Sequence, residues 1–558
     1  MIALFLSSFI SLFLFISFGF FTTKIGSFKS NIFEKILIGF VIINTLTCLI
    51  SIFIPITFTV TLSFIISAAL ITFYIKNELI KTAKSIHSNC HILLFATPFV
   101  VVGFYLASQE PAVFDSGLYH IQCIKWIEEY PTVPGLANLH HRFGFNPIVF
   151  SLYALTSLQS VFGQEIFCIN LVLFSILTVY FIRNLFNTFN QHGLTTYFIF
   201  QAIFFYVLIL LSTKISSPSP DYTSSVFLLF IFLRIIEIER STKTITFNTF
   251  IPIILLSVYC IMAKLSSVPI CLITGYILFT YTAHWKEVLR ISIIAFAICI
   301  PWLINTVLLT GWLIYPFSAI DLFSFDWKVP THIVHQANTE IVGWARSPND
   351  FYYEVSQMPL TKWVSIWWNA LTVYIKLLII GSIVLPMLLF IGQILKIIPA
   401  KRLLNITVLT SVCGVVFWFF TAPDFRFGHI FILIACCSPL LYFNSAFHFF
   451  NNYSSKQKQL FFILVCSILL FKLIRNNYGF GAWGLRRTLS KNSILPEKIN
   501  SNGATYTHVY VGNKKIYVPL MDERCFDHEI PCSYLDLSSI QLRGVNLANG
   551  FKPIQNNK

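Results

Sequence analysis

Charge is what this sequence has little of: only 11% of its residues are Asp, Glu, Lys or Arg, against 56% hydrophobic and 17% aromatic. A soluble core cannot hide that much apolar surface, with 59 Phe among it. The scarcity therefore excludes an ordinary globular domain and predicts an all-α protein that crosses a membrane many times. Acid is scarcer than base, with 23 Asp and Glu facing 38 Lys and Arg for a formal charge of +15. Such a balance can mark nucleic-acid binding, but most of the Lys and Arg fall in short segments between apolar runs, where the positive-inside rule expects them. The excess is read as topology, with membrane lipid rather than nucleic acid as partner. No internal repeat or low-complexity tract is visible. No basic residue precedes the apolar run starting at Ile2 and no small-residue cleavage pattern follows it, so that run is expected to remain as a span.

An apolar run of about 17 to 25 residues can cross a bilayer as a helix, because a helix satisfies its own backbone. The sequence predicts about fourteen such spans. Three lie in residues 1–91, and the rest fall near 92–107, 165–183, 195–212, 223–239, 248–263, 267–284, 291–309, 372–395, 403–420, 428–444 and 460–474. This assignment puts Arg183, Arg240 with Lys243, Lys286 with Arg290, Lys396 with Lys401 and Arg402, and Lys456 with Lys458 on the cytoplasmic side. The short apolar run 148–163 is expected to lie along the outer interface. The external face then collects the unusual polar pieces: 108–164, 216–222, 263–267, 310–370, 422–428 and the tail from 475. The tail loses the long apolar runs, and THVYVGNKKIYVPL alternates as strands do, so a small α+β or irregular extension is expected over 475–558. Most of the 13 Cys sit singly inside apolar runs as small hydrophobes. Cys525 and Cys532 are the exceptions; in an oxidising external compartment they can close a disulfide, the alternative being a reduced pair.

Against this background, Asp115, His120, Glu128, Glu129, His140, His141 and Arg142 crowd into the loop 108–147. A partly desolvated carboxylate at Asp115 suits a general base for a hydroxyl nucleophile; it equally suits an N-cap for the helix beginning near Gly117. Several imidazoles beside acids can bind a divalent metal, but no ligand spacing is matched, and substrate contacts or interfacial hydrogen bonds are the better reading. Asp221 in PSPDY, Lys264 in MAKLSS and the pair Asp424 and Arg426 in PDFRFG each mark the external end of a span. Lys264 can simply snorkel and Asp424 can simply pair with Arg426. Arg426 also suits a phosphate, which guanidinium grips with two parallel hydrogen bonds.

Taken in order, DSGLYHIQ, VPGLANLHHRFGFN, MAKLSSVP, TGWLIYPF and APDFRFG resemble the motif series of the GT-C superfamily of integral-membrane glycosyltransferases. RCFDHEIPCS and LRGVNLANGFK, with the DSGLYHIQ and VPGLANLHHRFGFN stretches, also resemble an uncharacterised bacterial multispan subfamily first named from Leptospira. The likeness covers about 92–550, so residues 1–91 read as three extra helices and 92–474 as a GT-C-like core. The resemblance implies a bacterial inner-membrane enzyme, active on its external face. It would transfer a sugar from a polyprenyl-phosphate carrier to a glycan, lipid or protein acceptor of the cell envelope. It further implies Asp115 as catalytic base, Lys264 and Arg426 on the lipid phosphate, and substrate contacts from His120, His140, His141, Arg142, Asp221 and Tyr315. Asp115 lacks a following second acid, and Trp312 and Leu313 stand where Asn and Pro are usual, which leaves a divalent metal an open question. The rival readings are a lipid-linked-sugar flippase and a non-catalytic partner of a polysaccharide assembly machine.

Overall fold

The computed structural model describes residues 1–241, 245–282, 284–443, 455–478, 494–499, 501 and 503–554. Lys243, the end of the expected 428–444 span and residues 479–493 of the expected tail lie outside these residues, while 475–478 continue the last helix. The chain opens with four long apolar helices, α1 (Ile2–Gly26), α2 (Ile32–Ser51), α3 (Phe58–His87) and α4 (Cys90–Ala107). Asn31 and Glu34 start α2 with a reciprocal capping box. α1 and α2 touch backbone to backbone, because Gly19 and Gly39 face each other without side chains. The first three helices are built into the core: on α2, Asn44 donates to Ile148 O and Ser151 Oγ, both at 2.8 Å, and accepts from Tyr259 at 2.7 Å.

After α5 (Ile121–Glu129), α6 (Leu136–Leu139), α7 (Val149–Thr156) and α8 (Gln159–Phe162), the centre is formed by α9 (Ile169–His192), α10 (Thr196–Leu211), α11 (Pro220–Arg240) and α12 (Ile251–Ala263). Then come α13 (Cys271–Tyr281) and α14 (Trp285–Thr310), the loop helices α15 (Thr331–Arg346), α16 (Tyr352–Gln357) and α17 (Leu360–Ala370), and finally α18 (Val373–Ile394), α19 (Arg402–Thr421), α20 (Phe425–Cys436), α21 (Pro439–Tyr442) and α22 (Ser455–Tyr478). Among the described residues, ten helices are long and apolar enough to cross a membrane: α1 to α4, α9, α10, α14, α18, α19 and α22. The chain thus has a multi-pass helical membrane architecture. Leu70, Phe73, Tyr374 and Ile394 leave large apolar surface outside the bundle, which suits hydrocarbon and is costly in water.

The other four expected spans differ in kind. α12, α13 and α20 are apolar but short. α11 is long, but it carries Arg234, Glu237, Glu239 and Arg240 in its second half. The first two are paired inside the bundle: Arg234 Nε meets Glu34 at 2.7 Å and Nη1 meets Glu237 at 3.1 Å, while Tyr180 donates to Glu237 at 2.6 Å. An unpaired charge there would cost several kcal/mol.

The polar connections gather at one end of the bundle. Ser217 Oγ accepts from Val113 N at 3.0 Å, Gly135 N donates to Leu308 O at 2.8 Å, and Trp367 Nε1 donates to Pro423 O at 2.8 Å. Asn146, held at φ 46°, accepts from Trp302 Nε1 through its carbonyl and donates to Thr306. Lys35 with Glu78, and Arg290 donating to Gly26 O, belong to the opposite end. The run 148–163 differs from its interfacial expectation. α7 is buried on every side, because the Ser151 and Thr156 hydroxyls donate to backbone carbonyls of their own turn and leave no polar face for water, and the chain breaks at Leu158 (φ 50°) before α8. In the tail, the strand-like alternation is realised as a hairpin of β1 (Tyr506–Val511) and β2 (Lys514–Pro519), and β3 (Ile540–Leu542) pairs with β4 (Phe551–Pro553), both antiparallel.

Candidate functional site

Asp115 sits just ahead of a π-helical turn, Ser116–His120, that runs directly into α5. Its carboxylate makes no capping hydrogen bond. The side chain instead faces two guanidinium groups: Oδ2 lies 3.5 Å from Arg426 Nη1 and Oδ1 lies 4.0 Å from Arg142 Nη1. Arg426 opens α20, where Asp424 accepts from its backbone N–H at 2.8 Å and lies 3.5 Å from its Nε. The expected Asp424–Arg426 pair therefore exists, and Asp115 joins it across 311 residues of sequence.

Lys264 occupies the extended turn after α12, and its ammonium is paired with Asp221 from the first turn of α11. The two halves of the site meet on one ring: Lys264 Nζ lies 3.7 Å and the Arg426 guanidinium 4.7 Å from the centre of Phe427. Trp344 from α15 stacks on Arg426 at 4.4 Å and stays 43% exposed. Asp115, Asp221, Lys264, Arg142 and Arg426 thus form one contiguous set.

The histidines separate by role. His120 is buried against Tyr119 and Phe150. Burial, followed by the opposed fields of Asp115, Asp221, Lys264 and Arg426, pushes its imidazolium down to about 4, so the ring is neutral near pH 7. His140 stacks on Phe143, and its Nδ1 accepts from Arg142 N at 3.2 Å. Burial and then the neighbouring His141 and Arg142 hold His140 well below the usual range. His141 Nε2 meets Glu340 Oε2 at 2.9 Å, and the same oxygen accepts from Arg142 Nη2 at 3.2 Å. Burial alone would raise the Glu340 carboxyl, but His141 and Arg142 outweigh it and lower it. Tyr315 is buried beside Phe145, its hydroxyl without a hydrogen-bond partner. Among the described residues no three His, Cys, Asp or Glu side chains gather into a metal-binding group; the imidazoles are spent on Glu340 and on aromatic neighbours.

Cys525 and Cys532 are joined by a disulfide, and the loop they close lies on the first loop. Phe526 N donates to Gly117 O at 2.8 Å, Gln122 donates to His528 O at 2.9 Å, Lys125 meets Asp527 at 2.6 Å and Ser533 donates to Leu139 O at 2.8 Å. Tyr534 sets its ring edge against His140 at 5.0 Å. An open cavity of about 550 Å³ lies nearby, lined by Glu110, Glu497, Lys498, Tyr506, Asp527 and His528; it holds none of the residues gathered around Asp115.

A family model described as a domain of unknown function (DUF8201) matches residues 1–433. The chain belongs to this family. The matched region takes in α1 to α3 as well as Asp115, Asp221, Lys264, Glu340 and Arg426, and stops short of the disulfide loop. No curated protein and no solved structure matches the chain.

Sequence reasoning passed over Glu340 and Trp344. Both lie in THIVHQANTEIVGWAR, where Gln336, Glu340 and Trp344 recur every four residues on one face of α15, and Gln336 donates to Glu340 at 3.2 Å. That spacing, around the lone acid of the stretch, was the available signal.

Proposed function

We propose that the protein is an inverting glycosyltransferase that moves a sugar from a polyprenyl-phosphate carrier to a cell-envelope acceptor at the external face of a bacterial inner membrane. The observation that carries the reading is a carboxylate, Asp115, set against cations drawn from three distant parts of the chain: Arg142, Arg426 and, through Phe427, Lys264. Such a set matches the two demands of the reaction. Asp115 takes the proton of the acceptor hydroxyl as its oxygen bonds to the anomeric carbon from the face opposite the phosphate. The anomeric C–O bond breaks, and its electron pair leaves on the phosphate oxygen, where Arg426 and Lys264 offset the charge. A phosphate leaves without a second carboxylic acid, in contrast to the paired carboxyls of soluble glycosidases.

The test uses the full chain in lipid nanodiscs or vesicles with a panel of labelled polyprenyl-phosphate sugars. Label should pass to acceptor, and Asp115→Asn should slow transfer by about 10² to 10⁴. Labelled donor crossing the bilayer unchanged, with no transfer, would replace this reading with a flippase. Neither transfer nor movement would leave the non-catalytic partner.

A further inference from the structure

Resting on that reading, we propose that Asp115 and Asp424 are stand-ins for substrate: they occupy the anion site at Arg426 until the donor phosphate displaces them, and only then is Asp115 free to act as base. Three independent features lead there. The first is geometry. Asp115 and Asp424 each approach Arg426 at 3.5 Å, whereas a committed guanidinium–carboxylate pair closes to about 2.7 to 2.9 Å. These are loose contacts that an anion of better shape can outcompete.

The second is unused donors. Arg426 Nε and Arg142 Nε are both buried, and neither has a hydrogen-bond partner. Buried N–H groups are nearly always paired in a finished site. Arg426 Nε faces only the Asp424 carboxylate, at 3.5 Å, so both guanidinium groups keep donor capacity that a phosphate, with several acceptor oxygens, can take up.

The third is charge. Asp115, Asp221, Asp424 and Glu340 face Arg142, Lys264, Arg426 and, through its field on Asp221 and Lys264, Lys214: four acids against four bases. The resting set is formally neutral and offers an anionic headgroup no net attraction while every pair stays closed. Asp221 and Glu340 hold the tighter pairs, with Lys264 and with His141 and Arg142. Asp115, which has only the loose contacts, yields outright, and Asp424 yields only its Oδ2, its Oδ1 staying on the Arg426 backbone N–H at 2.8 Å. The exchange also answers a mechanistic difficulty: while both Asp115 oxygens face guanidinium groups, their lone pairs are turned from any acceptor hydroxyl. Binding of the donor phosphate frees the Asp115 oxygens from the guanidinium groups, so proton abstraction waits for the donor.

Trp344, stacked on the Arg426 guanidinium, is a built-in reporter, identified by the signal lost in Trp344→Phe. The probe is a short-chain polyprenyl monophosphate, titrated against the full chain in nanodiscs, with inorganic phosphate as a parallel arm. Asp115→Asn and Asp424→Asn should each bind the lipid probe roughly threefold to tenfold more tightly than the unaltered protein, the scale expected for removing a partly exposed competing charge. Two separate variants keep the test intact should one fail to fold. Equal or weaker binding in both variants overturns the exchange while leaving the transferase reading in place. No binding of lipid phosphate by any form overturns the transferase reading itself. Tightening seen with inorganic phosphate alone overturns the lipid as occupant.

Discussion

His120 and Glu340 stand in neighbouring parts of the site and titrate in different windows, so their contributions separate with pH. The His120 folded-state value, about 4, is below its ordinary value of 6.5. The unfolded chain therefore binds the proton first, and the stability that neutral His120 supplies is full above 6.5 and is lost as pH falls from there toward 4. A shift of that size is worth on the order of 3 kcal/mol. His140 works in the same direction. Glu340 is also lowered, from 4.5, so its contribution persists above that value and disappears only at lower pH. Thermal unfolding in detergent between pH 7 and 4 should show a midpoint that falls from about 6.5 downward, before any Glu340 effect begins. Replacing His120 by Gln should flatten the upper part of this curve, and Glu340→Gln should leave that part unchanged. A midpoint that holds steady from pH 6.5 to 5 would show that neither buried imidazole stays neutral in the fold.

At the level of elements, the long apolar runs were legible because a helix in hydrocarbon needs nothing beyond its own backbone and apolar side chains. Ten of the expected spans follow that rule directly. What composition could not reveal was how α11 keeps Arg234 and Glu237 inside, since the compensating Glu34 lies 200 residues earlier. Nor could it show that α7 would be swallowed by the core, because a short apolar run reads alike on an interface or within a bundle. At the site, the loop acids and bases were visible as types. Their pairing across 198 to 311 residues, Arg142 with Glu340 and Asp115 with Arg426, was not, since sequence spacing carries no information on contacts at that range. The α1–α2 contact is where element packing can be tested most simply. A Cβ on Gly39 would lie 1.8 Å from Phe15 O, and one on Gly19 would lie 1.9 Å from Lys35 O. Backbone cannot step aside as a side-chain tip can, so Gly39→Val should cost about 1 to 3 kcal/mol or more in stability. Gly275→Ala, where a Cβ meets nothing within 4 Å, is the matched control and should be neutral or mildly stabilising. Equal thermal midpoints for the two variants would rule out the close helix contact.

For the whole molecule, the question is how a bundle whose family match ends at residue 433 depends on a tail that lies beyond it. The tail is fastened to the first loop at several points: Phe526 on Gly117, the His528 carbonyl on Gln122, Asp527 on Lys125, Ser533 on Leu139 and Tyr534 on His140. It thereby backs the strand of chain that carries His140, His141 and Arg142. The Cys525–Cys532 bridge closes only a short loop, so in the chain-entropy picture it is worth about 2 to 3 kcal/mol, and that stabilisation is local. Replacing both cysteines by Ser should therefore leave the thermal midpoint of the helical bundle nearly unchanged while the 506–534 region becomes a better protease substrate. With its backing loosened, Arg142 would be less firmly held near Asp115, and the proposed sugar transfer should fall several-fold even in intact, undigested protein. In the proposed orientation, with the bridge on the external face, the same change should follow treatment of the unaltered protein with a membrane-impermeant reductant. Unchanged proteolysis of the double Ser variant would mean that the hydrogen bonds alone hold the tail; faster proteolysis with full transfer would mean that the tail covers the site without organising it.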